Sequence, residues 1–265
     1  MKKIIILFLL LTSCASQNLD QRIDYVKELN NSQFKEIVYQ NSFAIYSLQK
    51  INNNQEVIVY IEGDGLSWID RFTPSSDPTP TDPLAFKLAK LDQGQNIIYL
   101  ARPCQYVRNN NCKKEIWTKL QYSKEIMNVY QQILDTVLQN HSKVHLVGYS
   151  GGSVIAMHLA SLNEANILSV RTIAGNIDPN EFTNLLNISP YKTSINLNNL
   201  GKRITSTPQQ HYYGSKDKII PKNLHLNYQN KFISNSCIQT LEVEASHNKG
   251  WESFWTNNYN IVPTC

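Results

Sequence analysis

The chain has 265 residues, 42% of them hydrophobic, with 25 Lys and Arg against 21 Asp and Glu. That length holds one large α/β domain or two small ones, with a substantial core. The net charge of the full chain is +4, of which Lys2 and Lys3 supply two; the small remainder, without a Lys/Arg run, argues against a nucleic-acid surface.

Met1-Lys2-Lys3 is a charged start, and Ile4 to Leu11 is an apolar run too short to span a membrane as a mature helix. The run ends in Leu11-Thr12-Ser13-Cys14, which resembles the lipobox of bacterial lipoproteins. The resemblance implies a signal peptide over residues 1–13 and a lipid on Cys14, the first residue after cleavage. Losing Lys2 and Lys3 leaves 23 basic against 21 acidic side chains, a charge of +2. No second apolar stretch reaches spanning length, so the lipid is the expected membrane anchor and the cell envelope the expected location. Residues 14–31 are polar and read as the lipidated cysteine and its tether. Residues 32–265 read as one domain.

Within it, Lys35–Tyr39 and Phe43–Leu48 are short, aromatic and β-branched, and are separated by a polar turn, which predicts a hairpin. Val57–Ile61 is a continuous apolar run, as expected of a buried strand, and ends in Glu62-Gly63-Asp64-Gly65. The Pro-, Ser- and Asp-rich stretch Leu66–Pro80 is a long loop, of the kind that is usually functional. Asp82 is placed to cap a helix with Pro83 at its first position. Asn96–Leu100 is a further buried strand, and the apolar spacing from Ile116 to Leu138 predicts one long helix over Glu115–Asn140. Lys143–Val147 reads as a strand, Ser153–Ala160 as a helix and Leu168–Ile173 as a strand. Residues 176–208 are Asn- and Ser-rich with weak periodicity and suit a small cap. Strands at Gln210–Tyr213 and Ile238–Glu244 and helices after Pro221 and Gly250 complete the alternation. That alternation implies a mostly parallel sheet with helices on both faces.

Apart from Cys14 there are four cysteines, Cys104, Cys112, Cys237 and Cys265. An even number in an exported chain suggests disulfides and an oxidising compartment, and three connectivities are open. Cys104 and Cys112 close a short loop, and the terminal Cys265 needs an anchor, so the expected pairs are 104–112 and 237–265. No His or carboxylate cluster surrounds them at metal-ligand spacing.

Between a strand and a helix stands Gly148-Tyr149-Ser150-Gly151-Gly152, a Gly-x-Ser-x-Gly pattern in the context of a nucleophile elbow. The glycines remove side chains that would collide across so tight a turn. The N–H of Gly151 can then face a developing oxyanion. Gly214-x-x-Asp217-x-x-Ile220-Pro221 follows a later strand, and Ser246-His247 follows the last one. The order Ser150, Asp217, His247, each after a strand, resembles the α/β-hydrolase superfamily over nearly all of the chain after Cys14. The resemblance implies an α/β-hydrolase fold and a nucleophile–acid–base triad, with no cofactor and no metal. Asp178, after the strand at 168–173, is a second candidate acid; its setting before Pro179 reads as a turn. Glu62-Gly63-Asp64-Gly65 occupies the place of the superfamily's His-Gly-x-Gly, so the N–H of Asp64 would join that of Gly151. Glu62 departs from the usual histidine, and the Asp64 carboxylate brings negative charge near the hole. Trp68 and Tyr149 are expected to line the substrate pocket, with Arg102 and Tyr106 at its rim. The implied reaction is acyl transfer from a small-molecule or lipid ester or thioester to water. An acyltransferase with an alcohol acceptor and an inactive binding lipoprotein are the alternatives.

Overall fold

A computed structural model describes residues 18–193 and 200–265. The expected signal peptide, Cys14 and residues 194–199 lie outside the described residues. Eight strands form one sheet: β1 (Lys35–Gln40), β2 (Ala44–Ile51), β3 (Val57–Ile61), β4 (Asn96–Leu100), β5 (Val144–Tyr149), β6 (Ile167–Ile173), β7 (Gln209–Gly214) and β8 (Ile238–Val243). Their order is β1-β2-β4-β3-β5-β6-β7-β8. The β1–β2 hairpin pairs antiparallel, as does β2 with β4, and every pairing from β4 to β8 is parallel. β4 and β5 are buried along their whole length, because crossover helices cover both faces of the parallel part.

The helices are α1 (Leu19–Asn30), α2 (Leu84–Leu91), α3 (Lys114–Trp117), α4 (Lys124–Leu138), α5 (Gly152–Leu162), α6 (Pro179–Leu185), α7 (Leu200–Arg203), α8 (Lys222–Lys231) and α9 (Trp251–Thr256). Two apolar cores flank the sheet. One packs α4 and α5 through Met127, Tyr130, Leu134, Val154 and Leu159. The other packs α2 and α9 through Phe86, Leu88, Trp251 and Trp255. Among the described residues no helix is long and apolar enough to cross a membrane.

Three local expectations need correction. Residues 19–30 are not a tether but a capped helix. Asn18 and Gln21 form a reciprocal capping box, and Arg22 and Val26, one turn apart, are buried against the domain. Arg22 donates to the carbonyl oxygens of Asp77 and Thr79, so α1 clamps the end of the long loop. The buried face contains an arginine, and that hid the helix from a reading by apolar residues alone.

The single long helix is two. At Thr118 the backbone leaves helical geometry (φ −116°, ψ −86°), and the Ser123 side chain starts α4 afresh by accepting from the Ile126 N–H. The break carries Gln121 and Tyr122 into the interior. Asp82 does not cap α2. Pro83 stands at the N-cap without a side-chain bond, and Asp82 instead pairs with Lys87.

In the stretch 176–208, Phe182 of α6, Leu200 of α7 and Ile204 just after it join the α4–α5 core. Both expected disulfides are present, Cys104–Cys112 and Cys237–Cys265. They suit an oxidising, extracytoplasmic compartment.

Candidate active site

β5, β7 and β8 are parallel, so their C-terminal ends lie along one edge of the sheet, the usual location of ligand sites in such sheets. Ser150, Asp217 and His247 each sit just beyond one of these ends.

Ser150 occupies the turn between β5 and α5 with φ +49°, a left-handed conformation that non-glycine residues rarely adopt. The strain persists because the surroundings hold the turn from several sides. The Ser150 N–H donates to Ile173 O at 3.0 Å, and its carbonyl accepts from the N–H groups of Ser153 and Asn176 at 3.1 Å. A Cβ at Gly148 would lie 2.5 Å from the Cα of Ser153, and one at Gly152 would lie 2.4 Å from the Ile61 carbonyl oxygen. Only glycine lets the strand, the helix and the neighbouring strand end approach so closely. Gly151 stands at the N-cap of α5, where backbone N–H groups are unsatisfied within the helix and favour negative charge.

The imidazole of His247 bridges the other two groups. Its Nε2 lies 3.1 Å from Ser150 Oγ, and its Nδ1 lies 2.9 Å from Asp217 Oδ2. Asp217 Oδ1 accepts the N–H groups of Ile219 (2.7 Å) and Ile220 (3.0 Å), which fix the carboxylate. Burial alone would raise the Asp217 pKa. The hydrogen bond and charge of His247, with the two N–H donors, outweigh burial and hold it below the usual value. The His247 loop is pinned from behind. Trp251 Nε1 donates to the carbonyls of Ser246 (2.8 Å) and His247 (3.1 Å), and the Tyr149 hydroxyl donates to the His247 carbonyl at 3.3 Å. The Tyr149 ring also packs on the imidazole, centroid to centroid 5.5 Å.

Asp178 is placed elsewhere. It caps α6 by accepting the Glu181 N–H and pairs with Lys231. Of the remaining histidines, burial pushes His158 and His225 down to about 4 and His211 to about 3, so all three are neutral over the physiological range.

The Asp64 carboxylate packs against Gly151, its Oδ1 only 2.0 Å from where a Cβ on that glycine would sit. Its charge is met by the buried Arg102, whose Nη1 donates to Oδ1 at 2.8 Å. The Gln121 amide, with its nitrogen turned inward, donates to both carboxylate oxygens at 2.8 and 3.2 Å. Arg102 also donates to the Gln121 carbonyl and lies over the Tyr122 ring. Gln121 and Tyr122 were not singled out in the sequence; they arrive through the break between α3 and α4. Arg102 serves this pair rather than the rim, and Tyr106 is buried, packed on Tyr46.

Glu62 is fully buried beneath the same loop. It accepts the N–H of Gly63 at 2.9 Å and the hydroxyl of Tyr99 at 3.2 Å. Burial raises its pKa to about 7, against the partial opposition of those donors.

A cavity of about 360 Å³ opens over Ser150 and His247, walled by Trp68, Tyr149, Pro80 and Ile219. A larger one, about 890 Å³, lies among Gln55, Asn96, His145 and Arg171, where β3, β4 and β5 begin. It is at the opposite end of the strands from Ser150. The convergent polar groups of the first mark it as the candidate site.

No protein-family model and no curated protein sequence matches the chain. Solved structures do. Est1E from Butyrivibrio proteoclasticus is 10% identical with a TM-score of 0.57, over 84% of this chain and 94% of that one. An esterase from Pyrococcus furiosus is 11% identical with a TM-score of 0.59, over 85% and 88%. An α/β serine hydrolase without a lid, from Xanthomonas campestris, is 10% identical with a TM-score of 0.53, over 88% and 97%. At this identity the likeness is one of fold: the chain has the α/β-hydrolase fold.

Proposed function

We propose that the protein is a serine hydrolase that cleaves a carboxylic ester or thioester through an acyl-enzyme on Ser150. The observation that carries this reading is the unbroken hydrogen-bonded chain from Asp217 through His247 to Ser150 Oγ. A serine hydroxyl is weakly nucleophilic until a base takes its proton. In the proposed reaction His247 Nε2 accepts that proton as Ser150 Oγ attacks the acyl carbon. Asp217 holds the imidazole in the tautomer with its proton on Nδ1 and stabilises the imidazolium that forms. The oxyanion is received by the N–H groups of Gly151 and Asp64. Collapse breaks the bond to the leaving alcohol or thiol, which takes the proton from His247. Water, deprotonated by the same imidazole, then attacks the acyl carbon; the bond to Ser150 Oγ breaks, Oγ takes the proton back from His247, and the acid is released. No step calls for a cofactor or metal ion.

We propose further that the substrate is a small-molecule or lipid acyl compound and, from the lipobox-like Leu11-Thr12-Ser13-Cys14 alone, that the protein is a lipoprotein held to the envelope membrane through Cys14. Purified protein offered chromogenic esters of graded acyl length tests the activity. The reading expects turnover that depends on chain length; no turnover of any ester or thioester would contradict it. Added alcohols that accept the acyl group in place of water would identify a transferase instead.

A further inference from the structure

Four large apolar side chains stand exposed at the Ser150 cavity and on the loop beside it. Trp68 is 41% exposed, Ile69 61%, Phe72 81% and Ile219 54%. Trp68 comes from the long loop and Ile219 from the loop after β7, and both wall the cavity. A cluster of exposed apolar side chains rimmed by polar residues is the surface pattern of a protein or membrane interaction site.

The tip that carries Phe72 is built to hold its shape. Trp68 and Pro74 form an antiparallel bridge, and the Ile69 N–H donates to Thr73 O at 2.8 Å. Asp70 Oδ1 accepts the N–H groups of Phe72 (2.8 Å) and Thr73 (2.9 Å), closing a tight turn. The turn therefore presents Phe72 outward instead of letting it fold onto the protein. Its cost is exposed apolar area that the folded chain does not recover by itself.

The charges beside the patch are predominantly positive. Arg71 lies over the Phe72 ring at 5.8 Å. Lys218 adjoins Ile219, and Lys249 follows Asn248, a residue of the cavity wall; both lysines are exposed. Of the nearby acids, Asp82 is paired with Lys87, while Asp70, exposed and accepting only backbone N–H groups, keeps its charge and offsets one of these three cations. Aromatic and aliphatic side chains at a stiff tip, flanked by an excess of exposed cations, are the chemistry that inserts at the interface of an anionic bilayer.

We infer that this rim, Trp68, Ile69, Phe72 and Ile219 with Arg71, Lys218 and Lys249, docks on an anionic phospholipid surface and sets the mouth of the cavity against the membrane. With the proposed hydrolase activity, on which this consequence rests, the acyl chain of the substrate enters from the leaflet between Trp68 and Ile219. The docking itself needs no turnover.

Trp68 provides a direct probe, because Trp117, Trp251 and Trp255 are buried. The full chain is mixed with phosphatidylglycerol vesicles whose acyl chains carry bromine, and tryptophan emission is recorded. The expected result is quenching and a blue shift that vanish in Trp68→Phe, and that fall at least severalfold in Ile69→Ser/Phe72→Ser. The double variant, altered only outside the cavity, should keep its turnover of a short soluble ester. Emission unchanged by vesicles, whatever the activity, would overturn the docking. So would emission that responds only to protein concentration, which would assign the rim to a second copy of the chain. Quenching without turnover of any ester would leave the docking standing and remove the hydrolase reading.

Discussion

Asp217 and His247, 30 residues apart in the chain, are joined by a 2.9 Å hydrogen bond, while Asp178 caps a helix and pairs with Lys231. The two candidate acids therefore make opposite predictions. Asp217→Asn offers the imidazole the wrong hydrogen-bonding partner and should lower kcat by at least about a hundredfold, roughly 2.7 kcal/mol. Asp178→Asn keeps a competent N-cap and should change kcat little. Turnover of both folded variants at saturating substrate checks the ranking.

The Arg102–Asp64 pair should matter to turnover because Asp64 packs on Gly151. Arg102→Met leaves a carboxylate beside the position where negative charge is proposed to develop. The expected loss in kcat is about tenfold or more, about 1.4 kcal/mol of transition-state stabilisation. Adding Asp64→Asn to that variant should restore part of it. Steady-state kinetics of the two single variants and the double variant form the cycle.

Stability should depend on pH through Glu62. Its pKa of about 7 in the folded state lies above the ordinary 4.5, so between those values the folded protein holds a proton that the unfolded chain has lost. The stabilisation is complete below about pH 4.5 and is lost as pH rises to about 7, an effect on the order of 3 kcal/mol. Glu62→Gln removes the ionisation. Urea unfolding of the two proteins should show the wild type losing ground to the variant between pH 5 and 8.

Much of this architecture was legible in the chain. Continuous apolar runs such as Val57–Ile61 and Asn96–Leu100 are strands because their two faces are covered, and the elbow glycines announce a close approach that only glycine permits. What was not legible depended on polar burial. Arg22 lies on the buried face of α1, and Gln121 turns inward where one apolar periodicity runs unbroken past a helix end. Their partners, the Thr79 carbonyl and the Asp64 carboxylate, are each 57 residues away in the chain, beyond any local pattern. The Arg102–Asp64 pair, 38 residues apart in the chain, is equally beyond a local pattern.

The two disulfides should differ in what they hold. Cys237–Cys265 closes a 28-residue separation, against 8 for Cys104–Cys112. In the chain-entropy model the longer loop contributes about 3 kcal/mol and the shorter one less. Cys237→Ser/Cys265→Ser should therefore lower the unfolding midpoint more than Cys104→Ser/Cys112→Ser. Non-reducing peptide mapping should first recover both pairs from the native protein.

The central claim is that Ser150 is the nucleophile, and covalent capture tests it most directly. A fluorophosphonate should add one phosphonyl group to the protein, and peptide mass mapping should place it on Ser150. Ser150→Ala, which deletes one hydroxyl at the elbow, should take up none while unfolding at the wild-type midpoint. Labelling of the alanine variant at the wild-type rate, or an adduct mapped to another residue, would contradict the account.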